Sequence, residues 1–349
     1  MEFTTLTETE FKKFAEKHPQ FSFFQTPALA AYREKRGWRK YYVGLKNQNK
    51  ILAATMMLSK PAAFKKKVFY APRGPLIDYE DEKLLKIFFT SLKQYIKSQG
   101  GYVFRFDPYF EYRERDLDGK IVEQGFDHQA AIDNLKKLGI KIDPHPDQIK
   151  WLFALDLDRP PEELKKSFRQ NTRNLINRTL RSEIKIRELK RDELKDFYKM
   201  CSRTAERKGF QKDNKPLDYY EDFYDLFGKD VKFLMAELRD GKETKQLSCG
   251  MFLLSGKREI IYLIAGNAEE YLDQNAQYLI QWEIINYAYK NGYKRYNFYG
   301  ISGNFDKTDP AYGMYRFKKG FGGYVIELIG GFEMPVTKLY YLHKLKEKL

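Results

Sequence analysis

Gly100-Gly101-Tyr102-Val103-Phe104-Arg105-Phe106-Asp107-Pro108 stops a helix and starts a strand, and 191 positions after Tyr102 the chain does the same at Asn291-Gly292-Tyr293. Residues 81–98, just before the first stretch, carry Leu84, Leu85, Phe88, Leu92, Tyr95 and Ile96 at helical spacing. Strands precede that helix at 51–58 and at Val68-Phe69-Tyr70, the latter ended by Ala71-Pro72-Arg73-Gly74-Pro75. The second half follows the same order: a strand at 247–254, a strand through Tyr262, an amphipathic helix at 274–290, then a strand from Lys294 to Tyr299. Tyr70 and Tyr262 are 192 positions apart, so the offset is nearly constant. A constant offset marks two copies of one α/β unit. Each unit sets a hairpin before a helix and a further strand, so each sheet is mixed.

That order fits the N-acyltransferase fold. The expected fold class is α/β with mixed (α+β) sheets: two tandem N-acyltransferase-like domains related by an internal repeat. A length of 349 residues suits two domains. Pro144-His145-Pro146 breaks the chain between them, so the first domain is expected over 1–149 and the second over 150–330.

With 27 Phe and 26 Tyr the chain has the apolar material for two cores, and its composition is not that of a disordered chain. A net charge of +15 points to a polyanionic partner: nucleic acid, anionic lipid or a phosphorylated substrate. Cys201 and Cys249 lack metal-type spacing, and the four histidines are scattered, so neither a metal nor a bound cofactor is expected. Met1-Glu2-Phe3-Thr4 does not read as a signal peptide, and no uncharged apolar run reaches the ~18 residues of a membrane span. The expected location is the cytoplasm, with room for a peripheral membrane contact, and the expected state is a monomer.

Three local readings bear on chemistry. Thr26 and Pro27 open a helix on which Arg33 lies about two turns along. Period-2 alternation from 102 to 107 sets Tyr102, Phe104 and Phe106 on one face and Arg105 and Asp107 on the other. Asp158 to Glu163 starts a helix expected to run to about Arg181, with Lys165, Arg169 and Arg173 four apart on one face, a spacing suited to a phosphate backbone. Tyr312-Gly313-Met314-Tyr315-Arg316-Phe317-Lys318-Lys319-Gly320-Phe321-Gly322-Gly323 packs cations, aromatics and glycines together after the last strand of the second unit, and Gly320, Gly322 and Gly323 read as backbone turning into the final strand. Acetyl-CoA enzymes of this fold use a Gly-rich pyrophosphate loop, whereas Asn267-Ala268-Glu269-Glu270 is acidic and Gly-poor. The donor is therefore expected to be an acyl-bearing nucleic acid.

Gln25-Thr26-Pro27, the strand 102–108, Asn171-Thr172-Arg173-Asn174 and the stretch from Tyr312 to Gly323 together resemble the FemABX family, in order and over nearly the whole chain. The resemblance implies an aminoacyl-tRNA-dependent peptidyltransferase that adds Gly, Ala or Ser to the side-chain amine of the peptidoglycan stem peptide. The acceptor would be UDP-MurNAc-pentapeptide or lipid II. It also implies that 331–349 completes the first domain. By resemblance, Lys318 steadies the charge at the attacked carbonyl beside Phe317, while Asp107 and Tyr102 belong to the acceptor site. Arg33 replaces a lysine that contacts the nucleotide-sugar phosphates. Lys215 stands where a family member has arginine, and Tyr219 matches a nearby tyrosine. Arg316 is placed with the substrate-binding residues, and Lys165, Arg169, Arg173 and Lys319 with the tRNA-binding ones. Many family members have a coiled-coil arm, for which this chain has no heptad run. Two readings compete with this one: a non-catalytic basic RNA-binding protein and a CoA-dependent N-acyltransferase.

Overall fold

The computed structural model describes residues 1–62, 65–209, 214–241 and 243–347. In chain order the elements are β1 (Glu2–Thr5), α1 (Glu8–Ala15), α2 (Pro27–Glu34), β2 (Arg39–Asn47), β3 (Lys50–Pro61), β4 (Lys67–Arg73), α3 (Glu82–Ser98), β5 (Gly101–Pro108), β6 (Glu111–Glu114), α4 (Gln129–Lys137) and β7 (Lys141–Asp143). Then follow β8 (Trp151–Asp156), α5 (Pro161–Ser167), α6 (Gln170–Leu180), β9 (Lys185–Glu188), α7 (Leu194–Arg207), α8 (Leu217–Phe227), β10 (Val231–Asp240), β11 (Glu243–Ser255), β12 (Glu259–Asn267), α9 (Ala276–Lys290) and β13 (Arg295–Gly300). The chain ends with α10 (Tyr312–Lys319), β14 (Tyr324–Leu328), β15 (Gly331–Pro335) and α11 (Leu339–Glu347). Two compact units form: Met1–Arg115, Ile121–Trp151 and Ile326–Leu349 make the first, Asp116–Lys120 and Leu152–Val325 the second. Relative to the divisions drawn from sequence, the first unit regains the chain at Ile326 instead of 331, and Asp116–Lys120 belongs to the second.

In the first unit the sheet runs β1-β2-β3-β4-β5-β15-β7. Only β4 and β5 are parallel, with α3 as their crossover, and the C-terminal strand β15 lies between β5 and β7. Asp81 caps α3 by accepting from the Leu84 amide at 2.9 Å. The helix then buries Leu85, Phe88, Phe89, Leu92 and Ile96 against Phe69, Phe104, Phe106 and Phe332. Each such side chain contributes about 1.5–3 kcal/mol of burial. Thr26 caps α2 as its sequence predicts, accepting from the Leu29 amide. Gln25, just before it, is fully buried and splices two strands: its Nε2 donates to the Met56 and Pro72 carbonyls, and its Oε1 accepts from the Met56 amide.

The second unit repeats the plan. Its sheet runs β14-β8-β13-β12-β11-β10-β9, with β6 paired antiparallel to the outer edge of β14; β11 and β12 form the hairpin, α9 crosses over, and β13 pairs parallel to β12. The two parallel crossovers, β4-α3-β5 and β12-α9-β13, are the repeat that the Tyr offsets announce.

Two local expectations are corrected. The helix expected to run unbroken to Arg181 is two helices, because Phe168 (ψ 152°) and Arg169 (ψ 142°) are extended. The break turns Phe168 inward, 1% exposed, against Trp282 and Phe321. Gly320, Gly322 and Gly323 turn the chain into β14 as the sequence predicts, and Tyr312–Lys319 ahead of them is a helix. Tyr102 does not share a face with Phe104 and Phe106. Gly101 pairs with Lys67 but Val103 with Val68, so Tyr102 is the extra residue of a bulge that reverses the alternation. Its ring lines a cavity with Val103 and Arg105, whereas Phe104 and Phe106 enter the main core.

Candidate functional site

In the first unit the chemistry gathers at the end of β5. Parallel pairing sets Asp107 beside Pro72 and Pro108 beside Arg73. The Asp107 carboxylate is 2% exposed and accepts three hydrogen bonds: from the Tyr70 hydroxyl at 2.8 Å, the Arg73 amide at 2.9 Å and the Gln148 amide at 3.2 Å. Burial raises its pKa to about 6, against the pull of the Arg73 charge and of these donors. Arg73 is itself buried, with a positive φ of 54°, and its guanidinium donates to the Ile149 carbonyl at 2.7 Å. Gln148 also reaches the Tyr70 hydroxyl, and Trp38 lies against the Tyr70 ring. The Tyr70 phenol is raised well above its ordinary pKa by burial, so it donates to the carboxylate and does not compete for its proton.

Tyr102 is not part of this group. It lines a cavity of about 400 Å³ with Arg105, Asp143, Glu333 and His343. Its carbonyl accepts from the Val336 and Thr337 amides, and its ring meets His343 edge-on. Arg33 sits in the last turn of α2, half-buried, with no hydrogen-bond partner at its buried Nε among the described residues. No hydrogen bond joins Arg33 to Asp107 among those residues.

In the second unit the focus is Lys318. α10 turns it inward, 4% exposed, and its ammonium donates to the Gly300 carbonyl at 2.5 Å. No carboxylate pairs with it among the described residues. Burial alone brings its pKa down to about 7. The carbonyl is aimed by a bend at the end of β13. Tyr299 has φ 64°, Asn297 accepts from the Tyr299 amide at 2.8 Å, and Asn297 in turn donates to Glu259. An aromatic wall stands alongside: Phe317 meets Tyr278 and Phe321, and Phe321 meets Phe298. Glycine is required in the following turn. A Cβ on Gly320 would strike Thr172, and one on Gly323, at φ 86°, would strike the Ala154 carbonyl.

The remaining residues named from sequence lie elsewhere. Arg316 is exposed, one residue from the wall. Lys319, expected on tRNA, forms an ion pair with Asp118 and covers the Tyr315 ring. Lys165 pairs with Glu162 and lies over Trp282. Arg173 donates to the Lys166 and Phe168 carbonyls, closing the break between α5 and α6, while Arg169 is exposed at the break. The helix break therefore dissolves the single cationic face that a four-residue spacing implies. Lys215 is half-buried ahead of α8, and Tyr219, in the first turn of that helix, packs its ring at a tilt against Phe223.

Sequence reasoning missed Tyr70, Arg73 and Gln148 as partners of Asp107. The signal was the strand end Arg73-Gly74-Pro75, which the repeat places beside the end of the parallel strand. It also left Cys201 and Cys249 unpaired, although their sulfurs lie 3.7 Å apart in the core. Burial raises the Cys249 thiol far above its ordinary value, which suits packing and not nucleophilic attack. Among the described residues no cluster could hold a metal ion, and no helix is long and apolar enough to cross a membrane.

Known proteins align with the chain end to end. Aminoacyltransferase FemB of Staphylococcus epidermidis is 28% identical over 422 aligned positions, covering all of both chains. Aminoacyltransferase FemA of Staphylococcus aureus is also 28% identical with full coverage of both. The crystal structure of FemX superposes with a TM-score of 0.86 at 21% identity, covering 99% of each chain. A tandem GNAT protein from the clavulanic acid pathway shares the fold more distantly, with a TM-score of 0.54 and 9% identity, covering 96% of this chain and 98% of its own. The FemAB family model matches residues 6–248 and 239–348, and on that match the chain belongs to the FemAB family.

Proposed function

We propose that this protein is an aminoacyltransferase that moves an amino acid from aminoacyl-tRNA to the side-chain amine of the peptidoglycan stem peptide, building the interpeptide bridge. The observation that carries this reading is the family match along the whole chain. The residues described in each unit are compatible with that chemistry. The amine nitrogen bonds to the ester carbonyl carbon, the tetrahedral oxyanion collapses, and the carbon–oxygen bond to the tRNA ribose breaks, its hydroxyl leaving with the proton the amine gives up. An ester is already activated, so positioning and charge stabilisation suffice. Lys318, a buried ammonium that donates to the Gly300 carbonyl and has no carboxylate partner among the described residues, is assigned to the oxyanion. Phe317 holds the apolar surroundings that keep it dry. Asp107 is assigned to the acceptor amine, as proton acceptor or as its anchor.

Arg33, Tyr102, Lys215, Tyr219 and Arg316 are proposed to bind the acceptor, and Arg169 is the most accessible of the cations proposed for tRNA. Glycine, alanine and serine are the candidate amino acids. The enzyme is proposed to work as a monomer in the cytoplasm, at the inner face of the plasma membrane when the acceptor is lipid-linked, and without a cofactor.

The test is incubation of the protein with a panel of charged tRNAs and either UDP-MurNAc-pentapeptide or lipid II, followed by mass spectrometry of the acceptor. A gain of one aminoacyl residue from one tRNA is expected. Salt-sensitive tRNA binding with no transfer to either acceptor would leave the RNA-binding reading. Acetyl transfer from acetyl-CoA instead would favour the CoA-dependent one.

A further inference from the structure

The C-terminal helix α11 is apolar on both sides. Inward, Tyr340 is 6% exposed and donates to Glu333 at 2.8 Å. Outward, where a helix on a protein surface ordinarily carries charge, Tyr341 is 53% exposed, Leu342 52% and Leu345 61%. With Lys338 these residues fall at i, i+3, i+4 and i+7, a single stripe. Solitary exposed apolar residues need no explanation, but three large ones on one short helix do.

What lies beside the stripe indicates the partner. Tyr341 lines a shallow cavity of about 320 Å³ with Lys93, Lys97, Lys338 and Thr337, and among the described residues no carboxylate lines it. Lys93 and Lys97 are exposed on the last turns of α3, and Lys86 continues the same helical stripe two turns before Lys93. None of these lysines has a salt bridge among the described residues. The Thr337 hydroxyl oxygen is buried at the cavity without a hydrogen-bond partner there. Lysines and a free hydroxyl around a concavity match the acceptor oxygens of a phosphate group. Apolar side chains projecting next to them match the acyl boundary behind a phosphate headgroup. A soluble phosphate would use the first feature and leave the second unexplained. An RNA backbone would do the same, since aliphatic leucines offer no stacking surface.

We propose that α11 and the end of α3 form a peripheral membrane contact for an anionic phospholipid surface, with Lys93, Lys97 and Lys338 on the headgroups and Tyr341, Leu342 and Leu345 in the interface. The proposal does not depend on which amino acid or acceptor the enzyme uses. All six side chains are exposed, so their replacement leaves the fold intact, which circular dichroism checks.

The experiment is sedimentation of the full chain with vesicles of phosphatidylcholine alone or with 30% phosphatidylglycerol. Wild type is expected to pellet with the anionic vesicles and to lose binding as salt rises. Each neutralised lysine near a charged surface weakens binding about fivefold, so Lys93→Gln with Lys97→Gln is expected to lower it by more than tenfold. Leu342→Ser with Leu345→Ser is expected to weaken it comparably while keeping tRNA binding. Equal pelleting with neutral vesicles, or undiminished pelleting of both double variants, would overturn the proposal. So would full competition by millimolar inorganic phosphate, which indicates a soluble-anion site. Loss of tRNA binding in the lysine variant with vesicle binding unchanged would assign the patch to RNA instead.

Discussion

Lys318 is an ammonium that water barely reaches, and it donates to a carbonyl that a positive-φ residue aims at it. A desolvated cation destabilises the fold it sits in, which is tolerable where the charge is needed for function. The ordinary lysine pKa near 10.5 falls to about 7 in the folded chain, so between those values the unfolded chain binds more protons. This lysine alone makes stability rise with pH across that window. Lys318→Met is therefore expected to flatten that rise in a series of melts, and to leave Tm at pH 7 equal or higher. Turnover should fall on the order of 10²–10³-fold, the usual loss for one oxyanion-stabilising group. The KM for the acceptor should change no more than a few-fold. A variant with near-normal turnover would remove Lys318 from the chemistry. At this scale the sequence supplied residue types but not partners. Tyr315-Arg316-Phe317-Lys318 marks a basic, aromatic segment, yet nothing in it tells that Lys319 pairs with Asp118 while Lys318 points to Gly300. Asp107 likewise stands out before Pro108, but Tyr70, Arg73 and Gln148 reach it only because two parallel strands end together.

Elements were legible where their signals are local. The hairpin, helix and strand of each unit are punctuated by glycine and carry clean periodicity, so the repeat and both mixed sheets follow from the sequence. The failures have one physical form: tertiary burial overrode a local period. The bulge at Tyr102 inserts one residue against β4, and every later side chain changes face. At Phe168 helical spacing continues on both sides, but the ring is worth more in the core than the helix is worth unbroken. Phe168→Ala should thus cost about 3–5 kcal/mol by removing the contact with Trp282 and Phe321. Arg169→Ala, at the exposed neighbour, should stay within about 0.5 kcal/mol. Urea unfolding of the pair checks this, and equal losses would mean that the break, and not the buried ring, is what matters. Gly323→Ala should also be poorly tolerated, because its Cβ would meet the Ala154 carbonyl at a φ that L-residues rarely adopt. Reduced soluble yield would be the first sign.

For the whole molecule the two ionisations set a pH window. The proposed chemistry needs Asp107 ionised and Lys318 protonated. Asp107, with its pKa raised to about 6, gains a proton as pH falls through that value, so activity should be lost on the acid side. Lys318, lowered to about 7, gives up its proton as pH rises through that value, so activity should be lost on the alkaline side. The kcat/KM profile is expected to be a narrow bell centred between the two, much tighter than ordinary carboxylate and lysine groups would give. The limbs can be assigned separately. The Tyr70 hydroxyl stabilises the Asp107 carboxylate, so Tyr70→Phe should move the acid limb to higher pH and leave the alkaline limb in place. Lys318→Arg keeps the cation at any working pH, so whatever activity it retains should lose the alkaline limb. Movement of the alkaline limb in Tyr70→Phe, or its persistence in Lys318→Arg, would mean that the titrating groups are the acceptor amine or another residue, and both assignments would have to be withdrawn.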